Sequence, residues 1–249
     1  MAIMPDQCVI LAGGLGTRLG DAVRDIPKPM LDIGGEPFLA RLIREFTRFG
    51  FSRFILLTGY CKEVVEEYFS RLDISMPQGT AVTVLPEAEP LGTGGALLAA
   101  AHMLDDNFLL CNGDSLCLYD IHSLLKPFHA PDTLARLTLM PTLNNERYGE
   151  VIVEGPFITE FRERSPEAGP CLMNAGVYFM NKNILNAFPQ GKSSLEKDIF
   201  PTLAAKKLLE YHMVEPFFFI DIGLPEDLER ARSAVPRALH RFQRLTPGI

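Results

Sequence analysis

The chain has 249 residues, enough for one large domain or two small ones. Hydrophobic residues make up 47% and charged residues 22%, no run approaches the ~18 apolar residues of a membrane span, and the opening MAIMPDQCVILAGG lacks the basic start of a secretory signal. A cytoplasmic protein without a membrane partner is expected; the net charge of −7, with no basic tract among the 24 Lys and Arg, argues against nucleic acid as the main partner.

The apolar runs CVILA, RFILLT, AVTVL and FLLCN are each followed by a segment of helical spacing. That alternation predicts an α/β fold, a mostly parallel Rossmann-like sheet flanked by helices. The first helix is the best defined: Pro37 suits its first position, Phe38, Leu39, Leu42, Ile43, Phe46 and Phe49 recur at helical spacing, and Gly50 is placed to stop it. A second helix is expected near Lys62 to Ser70 and a third from Gly94 or Gly95. From about Leu134 the rhythm changes to ARLTLM, EVIVEG, FITEFRE and CLMNAGVYFM, read as β-ribbon added to the core sheet as a small β-rich lobe on the acceptor side. Helices are expected at Ile184 to Phe188 and Leu195 to Lys206, then EYHMVEPFFFID, a closing helix from Pro225 toward Arg244, and a fraying tail RFQRLTPGI. Without repeats or long linkers, the chain reads as one continuous domain, with a first half over about 1–133, the candidate for a nucleotide site, and the lobe and last helices over about 134–249.

The stretch ILAGGLGTR places Leu11, Ala12, Gly13, Gly14, Gly16, Thr17 and Arg18 at a strand end, where backbone N–H groups unobstructed by Cβ atoms can bind phosphate. It is not the dinucleotide pattern, because Leu19 stands where the third glycine is needed, nor a P-loop, because Gly-Thr-Arg replaces Gly-Lys-Ser/Thr. A plain turn is the alternative; Arg18 favours phosphate, since a guanidinium beside amides supplies a fork for its oxygens. In IPKPM, Lys28 lies between two prolines, which bias Ile26 and Lys28 toward extended geometry and fix where a point charge is delivered. Either that charge meets an anion or it is a solvated lysine in a stiff loop.

Asp114 follows FLLCNG and Asp221 follows FFFI, so both are expected at the carboxyl ends of buried strands, the edge where open α/β sheets bind ligands. Paired carboxylate oxygens there suit Mg²⁺, although a lone aspartate after a strand is often a turn or cap. Glu87 precedes Gly92 and Thr93 in PEAEPLGTGGAL. A carboxylate can accept from both N1–H and N2–H of guanine, whereas uracil or thymine offers one N–H between carbonyls; the alternative is a surface charge. Tyr148-Gly149-Glu150, Glu163-Arg164 and Asn174-Ala175-Gly176 mix hydrogen-bonding and small residues, as a polyhydroxyl ligand or ordinary turns would require. The five cysteines form no C-x-x-C pair and are expected as free thiols. The histidines show no metal spacing and no nucleophile elbow occurs, which disfavours covalent catalysis.

In order, LAGGLGTRL, PKPM, GTGGA, NGD, YGEV, NAGVY and DIGLPEDL span nearly the whole chain, which by them resembles the sugar-1-phosphate nucleotidyltransferases. DIPKPMLDIGGEPFL and EAEPLGTGGAL look most like the heptose-1-phosphate and mannose-1-phosphate guanylyltransferases, the heptose branch preferred, with thymidylyl- and uridylyltransferases as alternatives. The resemblance implies an NTP, GTP favoured, and a sugar 1-phosphate as partners, and synthesis of a nucleotide sugar for cell-surface glycans. It implies that the loop with Arg18 holds the triphosphate, that Lys28 neutralises the reacting phosphates, that Glu87, Gly92 and Thr93 read the nucleotide, and that Asp114 and Asp221 hold Mg²⁺. Arg18, Lys28 and Asp114 are the implied catalytic set, and Asn112, Gly149, Glu163, Arg164 and Asn174 the sugar-phosphate set. Arg164 departs from the family, which usually has lysine there. A catalytically silent nucleotide-sugar-binding subunit is the non-enzyme rival, a dinucleotide-dependent oxidoreductase is disfavoured by Leu19, and a homodimer is the expected assembly.

Overall fold

The computed structural model describes residues 4–14, 16–71, 76–143, 147–163 and 169–246, the side chains of residues 21 and 22 excepted. The described strands are β1 (Gln7–Leu11), β2 (Arg53–Thr58), β3 (Ala81–Pro86), β4 (Asn107–Asn112), β5 (Ser115–Leu118), β6 (Ala135–Thr142), β7 (Glu150–Glu154), β8 (Phe157–Arg162), β9 (Cys171–Asn181), β10 (Leu209–Met213) and β11 (Phe218–Asp221). The α-helices are α1 (Phe38–Arg48), α2 (Lys62–Ser70), α3 (Gly92–Ala99), α4 (Phe200–Ala204) and α5 (Pro225–Leu245). Two compact units result, one built from Pro5–Pro90, Cys111–Asp120 and Phe217–Ile249, the other from Met1–Met4, Leu91–Leu110 and Ile121–Pro216.

In the first unit β1, β2 and β3 are parallel, in the order β3-β2-β1, with Gln7 opposite Arg53 and Arg53 opposite Ala81. Cys8, Val9 and Ile10 are buried on both faces of β1, as a parallel strand covered by helices requires. Helix α1 buries Phe38, Leu39, Leu42, Ile43 and Phe46 on one stripe. Pro37 caps it from outside, not from the first helical position, and Gly50, at φ +91°, provides the left-handed stop. Helix α5 buries Leu228, Ala231, Val235, Leu239 and Phe242 at helical spacing, with the Phe242 ring 6.3 Å from that of Phe49. The fraying expected from Arg241 is therefore not seen as far as Thr246: Phe242 is anchored in the core and Arg48 donates to the Thr246 carbonyl.

In the second unit the strand order is β4-β9-β6-β10-β8-β7. The long β6–β9 pair is antiparallel with an irregularity between Leu137 and Leu139, whereas β10 runs parallel to β6 and antiparallel to β8. The α/β expectation holds, parallel in the first unit and mixed in the second. Helix α3 starts two residues earlier than expected, because Gly92 takes φ +72° and turns the chain into it. The helix expected over 195–206 is a π-turn, Leu195–Ile199, leading into the short α4; Pro201, with no N–H to donate, falls in the first turn of α4, where none is needed. The one expected over 184–188 is a 3-10 turn, Lys182–Ala187.

Beneath the strands of this unit a buried ion pair ties loop to sheet. Glu210, fully buried on β10, accepts from Arg136 Nη2 at 2.6 Å, from Thr133 Oγ1 at 2.8 Å and from the His129 N–H at 2.7 Å. Arg136 in turn donates to the carbonyls of Leu124, Lys126 and Pro127. Burial by itself would raise the Glu210 carboxyl, but the hydrogen bonds from His129, Arg136, Thr133 and Ala130 outweigh it and hold it at about 2.

All five cysteines are free thiols, as expected, and burial pushes Cys117 up to about 12. Among the described residues no helix is long and apolar enough to cross a membrane.

Candidate active site

The first unit gathers most of the charged residues singled out above. Gly113 donates its N–H to the Leu11 carbonyl at 2.9 Å, and a methyl at Gly113 would lie 2.6 Å from that oxygen, so only glycine lets the end of β4 pass this close to β1. The chain then turns at Asp114 into β5, which pairs antiparallel with β11 and sets Asp221 opposite Ser115. The Ile222 N–H closes the pair by donating to the Asp114 carbonyl at 2.9 Å. The two aspartates therefore stand side by side on a two-stranded ribbon: Asp221 is its last β11 residue, and Asp114 lies in the turn after β4. Each aspartate thus follows or ends a strand at its carboxyl end, as expected, but the strand that ends in Asp221 belongs to the two-stranded ribbon.

Lys28 fills the space between them. Its Nζ is 2.7 Å from Asp114 Oδ2 and 3.6 Å from Asp221 Oδ1, with its side chain only 10% exposed. Gly223 gives the ammonium room, since a methyl there would lie 3.2 Å from Nζ, and its N–H donates to Asp221 Oδ1 at 2.6 Å. Lys28 is not extended as expected: it begins a 3-10 turn, Lys28–Met30, closed by Met30 N–H to the Pro27 carbonyl and Leu31 N–H to the Lys28 carbonyl. Those bonds outweigh the bias from Pro29, and the extended backbone falls on either side of the turn, at Pro27 (ψ 142°) and Leu31 (ψ 136°).

Formal charges of −1, −1 and +1 leave one negative charge on this cluster, half of what the two carboxylates would present to a cation without the lysine between them. The donor set fits a magnesium ion, which takes one or two protein carboxylates and fills its shell with water and substrate phosphate. No group of three or more His, Cys, Asp or Glu side chains placed to hold a metal occurs among the described residues, so an all-protein cage is not the alternative. One residue before Gly113, Asn112 Oδ1 is buried without a hydrogen-bond partner among the described residues, a cost that a bound ligand would remove.

The other focus of this unit is Glu87. Its N–H donates to the Thr58 carbonyl at 2.7 Å while Ala12 N–H donates to the Leu57 carbonyl at 2.8 Å, so both hang from the end of β2. A methyl on Gly13 would lie 3.3 Å from Glu87 Oε2, and one on Gly59 would lie 3.1 Å from it and 3.2 Å from the Gly13 carbonyl. The carboxylate thus rests over two glycine backbones. Gly59, in the TGY that ends β2, escaped sequence reading; a glycine directly after a buried strand was the available signal.

Further along the loop, Gly14 is open on all sides and Gly16 takes φ +62° against the Lys28 Cβ. Thr17 and Arg18 are exposed in a 3-10 turn over Thr17–Val23, and Arg18 makes no hydrogen bond or ion pair among the described residues. Leu19, which broke the dinucleotide pattern, is a core residue.

The second unit holds the remaining candidates. The glycines of GTGGA are packing residues: Gly94 N–H donates to the Ser193 carbonyl at 2.9 Å, and a methyl on Gly92 would come within 2.5 Å of that oxygen. Thr93 Oγ1 accepts from Leu195 N–H at 2.8 Å and donates to Glu196 Oε2 at 3.1 Å, so the fold already uses its hydroxyl. Ser193, the hub of these contacts, carried no sequence signal of its own. Glu150 pairs with Arg162, which puts Gly149 and Glu163 together at one end of β7 and β8. Asn174, on β9, accepts from Gly176 N–H and donates to the Tyr178 hydroxyl. Arg164 lies outside the described residues.

The glycine loop lies against the lysine-bridged aspartate pair, with Gly16 packed on the Lys28 Cβ, in an α/β chain to which the comparisons with known proteins give a family. The profile of the nucleotidyl transferase family matches residues 7–237, and the chain belongs to that family. It is 35% identical over 231 residues to the D-glycero-alpha-D-manno-heptose 1-phosphate guanylyltransferase of Aneurinibacillus thermoaerophilus, covering 91% of this chain and 96% of that one. It is 31% identical to the mannose-1-phosphate guanylyltransferase of Mycobacterium tuberculosis, covering 96% of this chain and 67% of the relative. Among solved structures, HddC from Yersinia pseudotuberculosis complexed with GMP-PN is similar, with 32% identity, a TM-score of 0.79, and coverage of 92% of this chain and 99% of that one. The family expected from the seven motifs is the family found.

Proposed function

We propose that the chain is a sugar-1-phosphate guanylyltransferase that joins GTP to D-glycero-D-manno-heptose 1-phosphate, releasing pyrophosphate, in the cytoplasm and in the service of cell-surface glycan synthesis. The observation that carries the reading is the Lys28 ammonium placed against both Asp114 and Asp221. The names of the relatives, two of them heptose 1-phosphate guanylyltransferases at 35% identity, support the substrate pair. In the proposed reaction an oxygen of the sugar phosphate bonds to the α-phosphorus of GTP, the bond to the β-phosphate breaks, and pyrophosphate leaves with that electron pair. A phosphate monoester is already an anion near neutral pH, so no strong base is required, in keeping with the lack of a nucleophile motif. The protein's task is to align two mutually repelling anions and offset their charge.

In this reading the amides of Leu11 to Thr17 and the Arg18 guanidinium hold the triphosphate, and Lys28 meets the reacting phosphates. Glu87 reads the nucleotide, its carboxylate accepting from N1–H and N2–H of guanine; Gly92 and Thr93, assigned to the nucleotide by the resemblance, serve the packing around Ser193 and Leu195. Asp114 and Asp221 would hold Mg²⁺, which when bound withdraws charge from the phosphates. On the resemblance alone, Asn112, Gly149, Glu163, Arg164 and Asn174 are assigned to the sugar phosphate.

The test is pyrophosphate release from a matrix of GTP, ATP, CTP, UTP and dTTP against heptose, mannose and glucose 1-phosphates. GTP with the heptose is expected to give the highest kcat/KM. Preference for mannose 1-phosphate would select the runner-up supported by the M. tuberculosis relative. Preference for UTP or dTTP would remove the guanine assignment, and nucleotide-sugar binding without turnover would favour the silent subunit.

A further inference from the structure

Lys28 has a geometry that its service to phosphates does not account for. An ammonium made to meet an incoming nucleotide has no need to be spoken for beforehand, yet Nζ contacts Asp114 Oδ2 at 2.7 Å and approaches Asp221 Oδ1 at 3.6 Å. These carboxylates are the ones assigned to the metal. We infer that Lys28 is a resident counter-ion that holds the metal site closed until nucleotide arrives, so that metal and nucleotide load together. The inference rests on the proposed reading of Asp114 and Asp221 as the metal pair.

The physical reasoning is short. With Lys28 in place, a divalent cation approaching the carboxylates meets a positive charge between them, on a lysine side chain that is 10% exposed beside carboxylates 38% and 26% exposed, so the repulsion is only partly screened. Without it, both carboxylates keep their negative charge toward the cation with no positive charge between them, since the Gly223 N–H and the Ser115 hydroxyl that donate to them are neutral. The backbone cannot yield, because Pro27 and Pro29 flank Lys28 and the 3-10 bonds of Met30 and Leu31 pin the turn. The side chain can: its four-carbon stem is flexible, and its seat beside Gly223 is room left by an absent Cβ, not a cage. A triphosphate offers the ammonium a stronger partner than two aspartates, and its departure opens the carboxylates to the metal that the triphosphate brings. The coupling is reciprocal, as any linkage between two ligands must be.

The test is Mn²⁺ binding without nucleotide, followed by electron paramagnetic resonance of free Mn²⁺ on the full chain. Lys28→Met and Lys28→Gln are expected to bind Mn²⁺ at least tenfold more tightly than wild type, while Lys28→Arg, which keeps the charge, stays as weak as wild type. Adding Asp114→Asn to Lys28→Met is expected to abolish the gain. Equal Mn²⁺ affinity in wild type and both neutral variants, with circular dichroism showing them folded, would overturn the inference, as would a gain that survives Asp114→Asn. A separate arm keeps the two readings distinct: Mn²⁺ binding with a nonhydrolysable GTP analogue, in wild type, Asp114→Asn and Asp221→Asn. If the aspartate variants weaken binding there while the lysine variants change nothing without nucleotide, the metal pair stands and the counter-ion role falls. If they do not weaken it, both fall.

Discussion

Arg136 lies 2.6 Å from the Glu210 carboxylate, and both side chains are withdrawn from water, at 3% and 0% exposed. Breaking one side of such a pair leaves the other charge buried alone, so Glu210→Gln is expected to lower the unfolding free energy by about 3–5 kcal/mol, read from urea midpoints at pH 7. The pH dependence has a definite sign. With the folded carboxyl held at about 2, below its ordinary 4.5, the stabilisation is complete above about pH 4.5 and is lost as pH falls toward 2. The gap between wild type and Glu210→Gln should therefore narrow on acidification from pH 5; a constant gap would contradict the assignment.

The two glycine clusters should separate fold from function. Gly94→Ala places a methyl 2.6 Å from both Ser193 Oγ and Ile199 Cδ1, and is expected to cost about 1–3 kcal/mol in thermal or urea unfolding, as overpacking does. Gly14→Ala meets nothing within 4 Å, so stability should stay within about 0.5 kcal/mol. If the loop cradles triphosphate, its KM for GTP should nevertheless rise.

Removing charge from the lysine–aspartate cluster should act on chemistry. Lys28→Ala and Asp114→Asn are each expected to lower the rate of pyrophosphate release by about a hundred- to a thousandfold, the range seen when a group stabilising transition-state charge is removed. Near-normal turnover in either variant would dismantle the proposed roles.

Glu87→Gln keeps the shape over Gly13 and Gly59 but replaces one acceptor oxygen with a donor. Loss of a charged hydrogen bond costs about 1.5–3 kcal/mol, so kcat/KM for GTP is expected to fall roughly ten- to a hundredfold, with UTP far less affected. An equal fall for both nucleotides would mean that Glu87 does not read the base.

Much of this was legible in the chain itself. The spacing of Phe38, Leu39, Leu42, Ile43 and Phe46 marks α1, Gly50 marks its end, and the apolar runs mark β1, β2, β3 and β4, of which β1, β2 and β4 are buried, because burial imposes a period that local sequence records. The same holds for the glycine loop and for the charged residues as chemical types. Misreadings fell where distant parts intervened: Lys28 entered a 3-10 turn, 195–206 broke into a π-turn and α4, and the tail was held by Arg48.

What the sequence by itself determined is the α/β alternation, the helix limits and a set of residues suited to phosphate chemistry, each encoded within a few neighbours. Only the tertiary structure decided that Lys28 meets Asp114, 86 residues away, and shares it with Asp221. It also decided that Glu87 lies over Gly59 and that the glycines of GTGGA serve Ser193. The physical reason is that these contacts depend on the register of β5 with β11 and of β2 with β1 and β3. Register follows from the packing of the whole chain, and no single segment carries it.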